Sequence, residues 1–207
     1  MKLLIAGAGG HGRVVADAAL MSGQFSHVAF IDDAFPNLKV REEWPLIGTL
    51  ESMPSLVSEF DGFFSAFGSS AFRLDVLAQA IELGFTCPTI IHPSATVSKY
   101  AKITYGCVLC AGSIVNVGAE LGHGCIINTG ATVDHDCKID AGVHICPGAH
   151  LAGGVKIGEH SWFGVGAIAK QGIVIGAKAM IGAGAVVVSD VPAGKTFVGV
   201  PARELSR

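Results

Sequence analysis

Charge is scarce in this chain: Asp, Glu, Lys and Arg make up 15% of 207 residues, against about a quarter in an ordinary domain. There is no cluster of Lys and Arg, and the formal charge is −3. No basic patch is therefore available to neutralise a phosphate backbone, which argues against nucleic-acid binding as a function class. Long apolar runs are also missing. Lys170 and Lys178 break the late apolar region before it reaches the eighteen or so residues a membrane span needs. The apolar start, MKLLIAG, runs into Gly-Ala-Gly-Gly-His too early for a secretory signal. These absences lead to the expectation of a soluble, cytoplasmic protein with no membrane partner.

Glycine is abundant instead. Its 28 residues are about double the usual share and announce a periodic or turn-rich chain. From Ile91 to Val187 every sixth residue is Ile, Leu or Val, with Phe163 and Ala169 as the exceptions. Four places after each stands another series, from Ala95 through Cys107, Ser113 and Ala119 to Val191, in which most residues are small. Neither the helix period of 3.6 nor the strand period of 2 produces a strict six. A chain wound into a triangular prism does, with one short strand and one corner per hexad and three hexads per coil. The large aliphatic residue fills the interior, the small one fits near a tight corner, and residues 18 apart stack in one column.

Six cysteines lie at 87, 107, 110, 125, 137 and 146. Cys107 and Cys110 near His123 and Cys125 invite a zinc reading. The hexad frame opposes it, because Cys107, Cys125 and Cys137 fall in the small-residue slot. Cys107 and Cys125 should stack, but a cytoplasmic setting would keep them reduced.

Residues 1–85 lack the six-residue beat. KLLIAGAGG reads as a buried strand entering a glycine turn, and HGRVVADAALMSG as a helix closed by Gly23. VAFIDD follows as a second strand, then an irregular stretch to about Glu59. FDGFFSAFG reads as a third strand, and SSAFRLDVLAQAIELG as a helix capped by serine and ended by Gly84. The expected architecture is a Rossmann-like α/β half domain with a parallel sheet over 1–85, a linker over 86–93 and an all-β parallel β-helix over 94–207. Gly7, Gly9 and Gly12 satisfy G-x-G-x-x-G, and Asp32 lies 20 residues beyond Gly12. Only one half of a dinucleotide fold fits before the prism, so a mononucleotide or nucleotide-sugar site suits better than NAD. A purely structural turn is the third reading.

On the prism, His135 is third in its hexad with Asp136 beside it, and His144 is sixth in the next. Half a circuit separates them, so a site using both must be built by two subunits. A carboxylate next to a histidine raises its pKa and fixes its tautomer, which suits a general base. The alternative is an exposed wall residue. His123, His150 and His160 have no acid in a comparable position, and His123 and His135 fall on different sides, against a metal site.

Taken together, GAGGHG, IDD, IHPSA, VDHD, GVHICPGAHLAGGVKIG and FVGVPA cover nearly the whole length. Through them the chain resembles the bacterial hexapeptide-repeat sugar acetyltransferases with an N-terminal nucleotide-sugar domain. That group comprises UDP-amino-sugar N-acetyltransferases and sialic acid O-acetyltransferases. The resemblance implies a left-handed β-helix, a homotrimer, and acetyl-CoA in the groove between adjacent prisms, with no metal. It implies His135 as general base and Asp136 as the acid that raises its basicity. His144, Val165 and Ala183 would contact acetyl-CoA. Gly9, Gly10 and His11, with Asp32, Asp33 and Gly68 nearby, would hold a nucleotide-linked amino sugar acetylated at its 4-amino group. O-acetylation of a sialic acid or another sugar hydroxyl is the alternative. Some relatives carry Ser where this chain has Gly9, so one hydroxyl contact to the nucleotide sugar is missing.

Overall fold

The computed structural model describes residues 1–37 and 44–205. Of the stretch expected to be irregular, 38–43 lies outside the described residues. The chain folds as two compact units, Met1–Pro93 and the part from Ser94 on. Segment 86–93 belongs to the first unit, where the Phe63 amide donates to the Thr86 carbonyl at 2.9 Å. No helix among the described residues is long and apolar enough to cross a membrane.

The first unit is built on strands β1 (Lys2–Ala6), β2 (His27–Ile31), β3 (Leu46–Gly48) and β4 (Gly62–Ser65), all parallel in the order β3-β2-β1-β4. Helices α1 (Gly10–Met21), α2 (Met53–Leu56) and α3 (Ser70–Glu82) complete it. The central strand β1 is buried throughout its apolar run, as a parallel sheet covered on both faces requires. Two features depart from expectation. Edge strand β3 lies inside the stretch read as irregular, because three residues after Pro45 are too few to display an alternation. Ser69 occupies the N-cap position of α3, yet its side chain makes no cap bond. The turn before α3 is held instead by Arg73, only 1% exposed, whose Nη1 donates to the carbonyls of Phe67 at 2.8 Å and Gly68 at 3.2 Å.

From Thr96 on, strands of two residues repeat and the coils stack in register at 18. Three parallel sheets form the sides of the prism, with successive coils about 4.8 Å apart. The first face runs from Lys102–Ile103 to Val174–Ile175, and the second carries Val108–Leu109, Ile126–Ile127, His144–Ile145, Trp162–Phe163 and Met180–Ile181. The third runs from Thr96–Val97 to Val186–Val187. The second residue of each strand points inward, and from Leu109 to Val187 these residues are buried. Phe163 and Ala169, the two exceptions in the series, follow one another around one coil, so a large residue compensates for a small one.

The 18-residue register fails once. Counting by six puts Val191 in the small slot, but it bridges to Ile175, and Ile181 pairs with Phe197, each 16 residues on. This last coil is two residues short. The Asp190 carboxylate makes up for the lost geometry by accepting the Val174 amide at 2.8 Å. Val serves equally well in either slot, so the sequence does not betray the slip.

The small slot has a role that the sequence reading did not assign. Cys107, Cys125, Cys137 and Ser161 each donate to the carbonyl 15 residues on, at Gly122, Asp140, Ala152 and Gly176. Their S–H and O–H groups thus fasten one corner to the next coil. The six cysteines form no disulfide, and burial pushes the thiols of Cys110 and Cys146 up to about 12, which makes them poor nucleophiles. Ser161 is bonded twice, since its Oγ also accepts the Ala179 amide at 3.1 Å. Ser161→Ala removes the hydroxyl from two backbone groups of the next coil, the Gly176 carbonyl and the Ala179 amide, and should cost about 1–3 kcal/mol, measured by urea unfolding.

His11 opens α1 beside Arg73. Burial, and then the guanidinium charge, push its pKa down to about 4 from the ordinary 6.5. The unfolded chain therefore binds a proton that the fold refuses, and stability is lost as pH falls from 6.5 towards about 4. The loss is on the order of 3 kcal/mol. Thermal melts between pH 7 and 4 should show this slope reduced in His11→Asn.

Candidate active site

The corner between the third and first faces carries Asp134, His135, Asp136 and Cys137. In most hexads the fourth position is a glycine with φ between +63° and +73°; Asp136 takes that position at φ +58°. The left-handed conformation costs a non-glycine residue about 1 kcal/mol, least for Asp and Asn. Here it turns two adjacent side chains towards each other, which a strand's alternation forbids. His135 Nδ1 lies 2.9 Å from Asp136 Oδ2. An ionised carboxylate only accepts, so Nδ1 carries the proton and Nε2 is left with its lone pair. The two side chains are 58% and 74% exposed. The hydrogen bond to Asp136, assisted by the charges of Asp134 and Asp136, raises the pKa of His135 above the usual histidine value despite some desolvation.

Asp134 faces the opposite way around the corner. Its Oδ1 accepts the His135 amide at 2.8 Å and Asn116 Nδ2 at 2.9 Å, the latter from the coil below. These bonds, the amide first, hold the Asp134 carboxyl below the usual range. Sequence reasoning missed Asn116, although it stands one 18-residue coil before Asp134.

His144 lies on the second face, opposite the corner that carries His135, so one prism does not bring the two together. It is 8% exposed and meets Trp162, its partner one coil on, edge to face at 4.4 Å. Asn128 Nδ2 lies 3.0 Å from His144 Nε2, while Asn128 Oδ1 accepts the Thr129 amide. The amide orientation makes Nε2 the acceptor. Sequence reasoning missed Asn128 and Trp162 as well. Val165 and Ala183 occupy the corner between the second and third faces, one coil apart and exposed. Among the described backbone bonds their N–H groups make none, while the Val165 carbonyl accepts from Gly184 at 2.8 Å.

In the first unit, Gly9 lies in the turn after β1, Gly10 and His11 open α1, Asp32 and Asp33 follow β2 and Gly68 follows β4, all at the carboxyl edge of the sheet. The glycines divide by role. Gly7 has φ +99°, and a Cβ at Gly12 would overlap the Gly7 carbonyl, so both are required by the fold. At Gly9, Gly10 and Gly68 an added Cβ would meet nothing within 4 Å. Packing does not explain these three, and they leave backbone open to an approaching ligand. Asp32 braces this rim: Oδ2 accepts the Ala8 amide at 2.9 Å and Oδ1 that of Ala34 at 3.0 Å. Asp33 Oδ1 accepts the Leu50 amide at 2.9 Å.

A groove of about 710 Å³ along the first face is lined by Lys102, Glu120, His123, Lys138 and Asp140, among others, and by none of the site residues above. Its charges are mixed: Lys102 Nζ donates to Glu120 Oε1 at 2.8 Å, and His123 stacks on Tyr105 with no carboxylate paired to it among the described bonds. Among the described residues no group of three or more His, Cys, Asp and Glu side chains is placed to hold a metal.

Comparison with known proteins gives the same division of the chain. The PglD N-terminal domain family matches residues 2–80, and the hexapeptide repeat of succinyl-transferase family matches 154–189. The acetyltransferase domain of PglB from Neisseria gonorrhoeae FA1090, solved with acetyl coenzyme A, is 45% identical over 99% of this chain and 98% of that one, with a TM-score of 0.94. A mutant of GDP-perosamine N-acetyltransferase from Caulobacter crescentus, solved with CoA and GDP-perosamine, is 36% identical over 100% and 98%, with a TM-score of 0.95. UDP-N-acetylbacillosamine N-acetyltransferase of Bacillus subtilis (strain 168) is 37% identical over 117 residues; the match spans about half the length of that relative, 51%, and 53% of this chain. An α/β unit followed by a left-handed β-helix is the common architecture, and the chain belongs to the hexapeptide-repeat sugar acetyltransferases with a PglD-type N-terminal domain.

Proposed function

We propose that the chain is an acetyl-CoA-dependent N-acetyltransferase acting on the 4-amino group of a nucleotide-linked amino sugar in the cytoplasm. The observation that carries this reading is the His135–Asp136 pair, a histidine with one nitrogen anchored at 2.9 Å and the other presented at an exposed corner. A relative bound to acetyl coenzyme A and another bound to CoA and GDP-perosamine support the donor and the acceptor class. The relatives named for a reaction on a sugar are N-acetyltransferases, which supports an amine over a hydroxyl.

In this reading residues 1–85 take the nucleotide sugar through the open backbone at Gly9, Gly10 and Gly68, with His11, Asp32 and Asp33 at the rim. Residues 94–207 take acetyl-CoA, and 86–93 link the two. The neutral His11 offers a hydrogen bond without a charge to be desolvated. The exposed column of Val165 and Ala183 suits an extended pantetheine arm, and His144 suits its acetyl end. Since His135 and His144 lie on opposite sides of the prism, a site that uses both requires two copies, and a homotrimer supplies three such grooves.

The reaction follows from these groups. The amine nitrogen attacks the thioester carbonyl carbon, the new C–N bond forms, and the nitrogen's proton passes to His135 Nε2. Asp136 holds Nδ1–H and balances the imidazolium charge. The tetrahedral intermediate collapses, the C–S bond breaks, and the departing CoA sulfur takes the proton from Nε2. The thioester is already activated, so a base and orientation suffice.

His135→Ala should lower kcat/KM by about 10²- to 10⁴-fold while leaving the thermal melt unchanged, read by thiol release from acetyl-CoA with amino-sugar acceptors. A wild-type rate would eliminate the base assignment. The raised pKa of His135 puts the acid limb of kcat/KM above 6.5, since the free base appears only above it. Asp136→Asn should move that limb down towards the ordinary histidine value, and a limb that stays in place would contradict the role given to the carboxylate.

A further inference from the structure

The His135–Asp136 pair is mostly exposed, and an exposed pair of this kind is ordinarily weak and loosely held. What holds it here comes from the neighbouring coils of the same corner. Below, Asn116 Nδ2 bonds Asp134 Oδ1, and that same oxygen accepts the His135 amide, so one residue of the lower coil fastens the peptide from which the imidazole hangs. The Asp136 amide donates to the Val117 carbonyl at 3.1 Å, and Gly118 leaves room for the Asp136 carboxylate: a Cβ there would come within 2.5 Å of Oδ1. Above, Gly153 stands 18 residues after His135, and a Cβ at Gly153 would overlap the imidazole at Cε1 and Nε2. Gly153 has no positive φ, so its backbone does not need glycine. Only the space beside the ring does.

We propose that Asn116 and Gly153 are positioning residues for acetyl transfer, Asn116 fastening the corner from below and Gly153 keeping from above the space in which the His135 ring lies. The proposal rests on His135 being the general base. Alanine at 153 would drive the ring out of that space and away from Asp136. Alanine at 116 would release Asp134 and with it one restraint on the His135 peptide. Neither change should disturb the core, because Gly153 tolerates alanine's backbone and Asn116 is half-buried at the surface of the corner.

The test compares Gly153→Ala, Asn116→Ala and His135→Ala with the unaltered protein, after thermal melts establish that each is folded. Steady-state kinetics with acetyl-CoA and the amino-sugar acceptor give kcat and KM separately, and NMR titration gives the pKa of His135. Misplacement by about 1 Å costs on the order of 10²-fold. Gly153→Ala should therefore lose about that much in kcat with KM for acetyl-CoA unchanged, and the His135 pKa should fall towards 6.5. Asn116→Ala should lose less in kcat, in the same direction. Unchanged kcat and an unmoved His135 pKa in both variants, or a loss confined to KM, would overturn the proposal. His135→Ala separates the two claims: if it retains full activity the base assignment fails, whereas if it is inactive and the other two variants behave as wild type, only the positioning claim fails.

Discussion

Each coil of the prism is joined to the next through strands of only two residues, so no strand is stable by itself and register is held collectively. Between the first coil and the short last one, a corner residue is flanked by the residue 18 before it and the residue 18 after it. The site depends on this stacking. Val133 is locked inward between Val115 and Leu151, so the four residues that follow must turn within the corner and be back on the first face at Lys138. Within that span, Asp136 adopts the conformation left for glycine elsewhere, and its carboxylate meets the ring of the residue before it. A pair that would be commonplace on a flexible loop is held here in one geometry, because the scaffold pays the conformational entropy in advance.

The same periodicity spreads the candidate site residues around the circumference. His135 sits at one corner and His144 on the face opposite it, while Val165 and Ala183 share a third location, the corner between the second and third faces. Extended ligands suit such an arrangement, since a column offers one residue per coil at a spacing near 4.8 Å, the ordinary distance of about that size between paired strands. The first unit solves a different problem with different means. Its parallel strands bring turns from distant parts of the sequence to one edge, and Asp32, Asp33 and Arg73 brace those turns through backbone groups. Glycines at 9, 10 and 68 then leave main chain uncovered where a polar ligand would approach.

Much of this was legible in the sequence because the hexad is a geometric constraint rather than a preference. The inward series, the small slot, the opposition of His135 to His144 and the adjacency of His135 to Asp136 all follow from counting by six. The rest was hidden for identifiable reasons. Strand β3 is too short to alternate. Val191 fits both slots, so the short last coil leaves no mark. Ser69 has the chemistry of a cap, but a buried arginine holds the turn. Asn116 and Gly153 matter only through stacking, and their part emerges when the 18-residue column is drawn through His135 and Asp134 in both directions.

In the proposed mechanism one copy's His135 works beside a thioester held against another copy's His144. Mixing subunits carrying His135→Ala with subunits carrying His144→Ala, after joint unfolding and reassembly, tests it most directly. Each variant alone lacks one half of every site, whereas mixed assemblies contain sites that take an intact half from each. Activity well above the sum of the separate variants is the predicted result. Mixed assemblies no more active than the variants apart would contradict it.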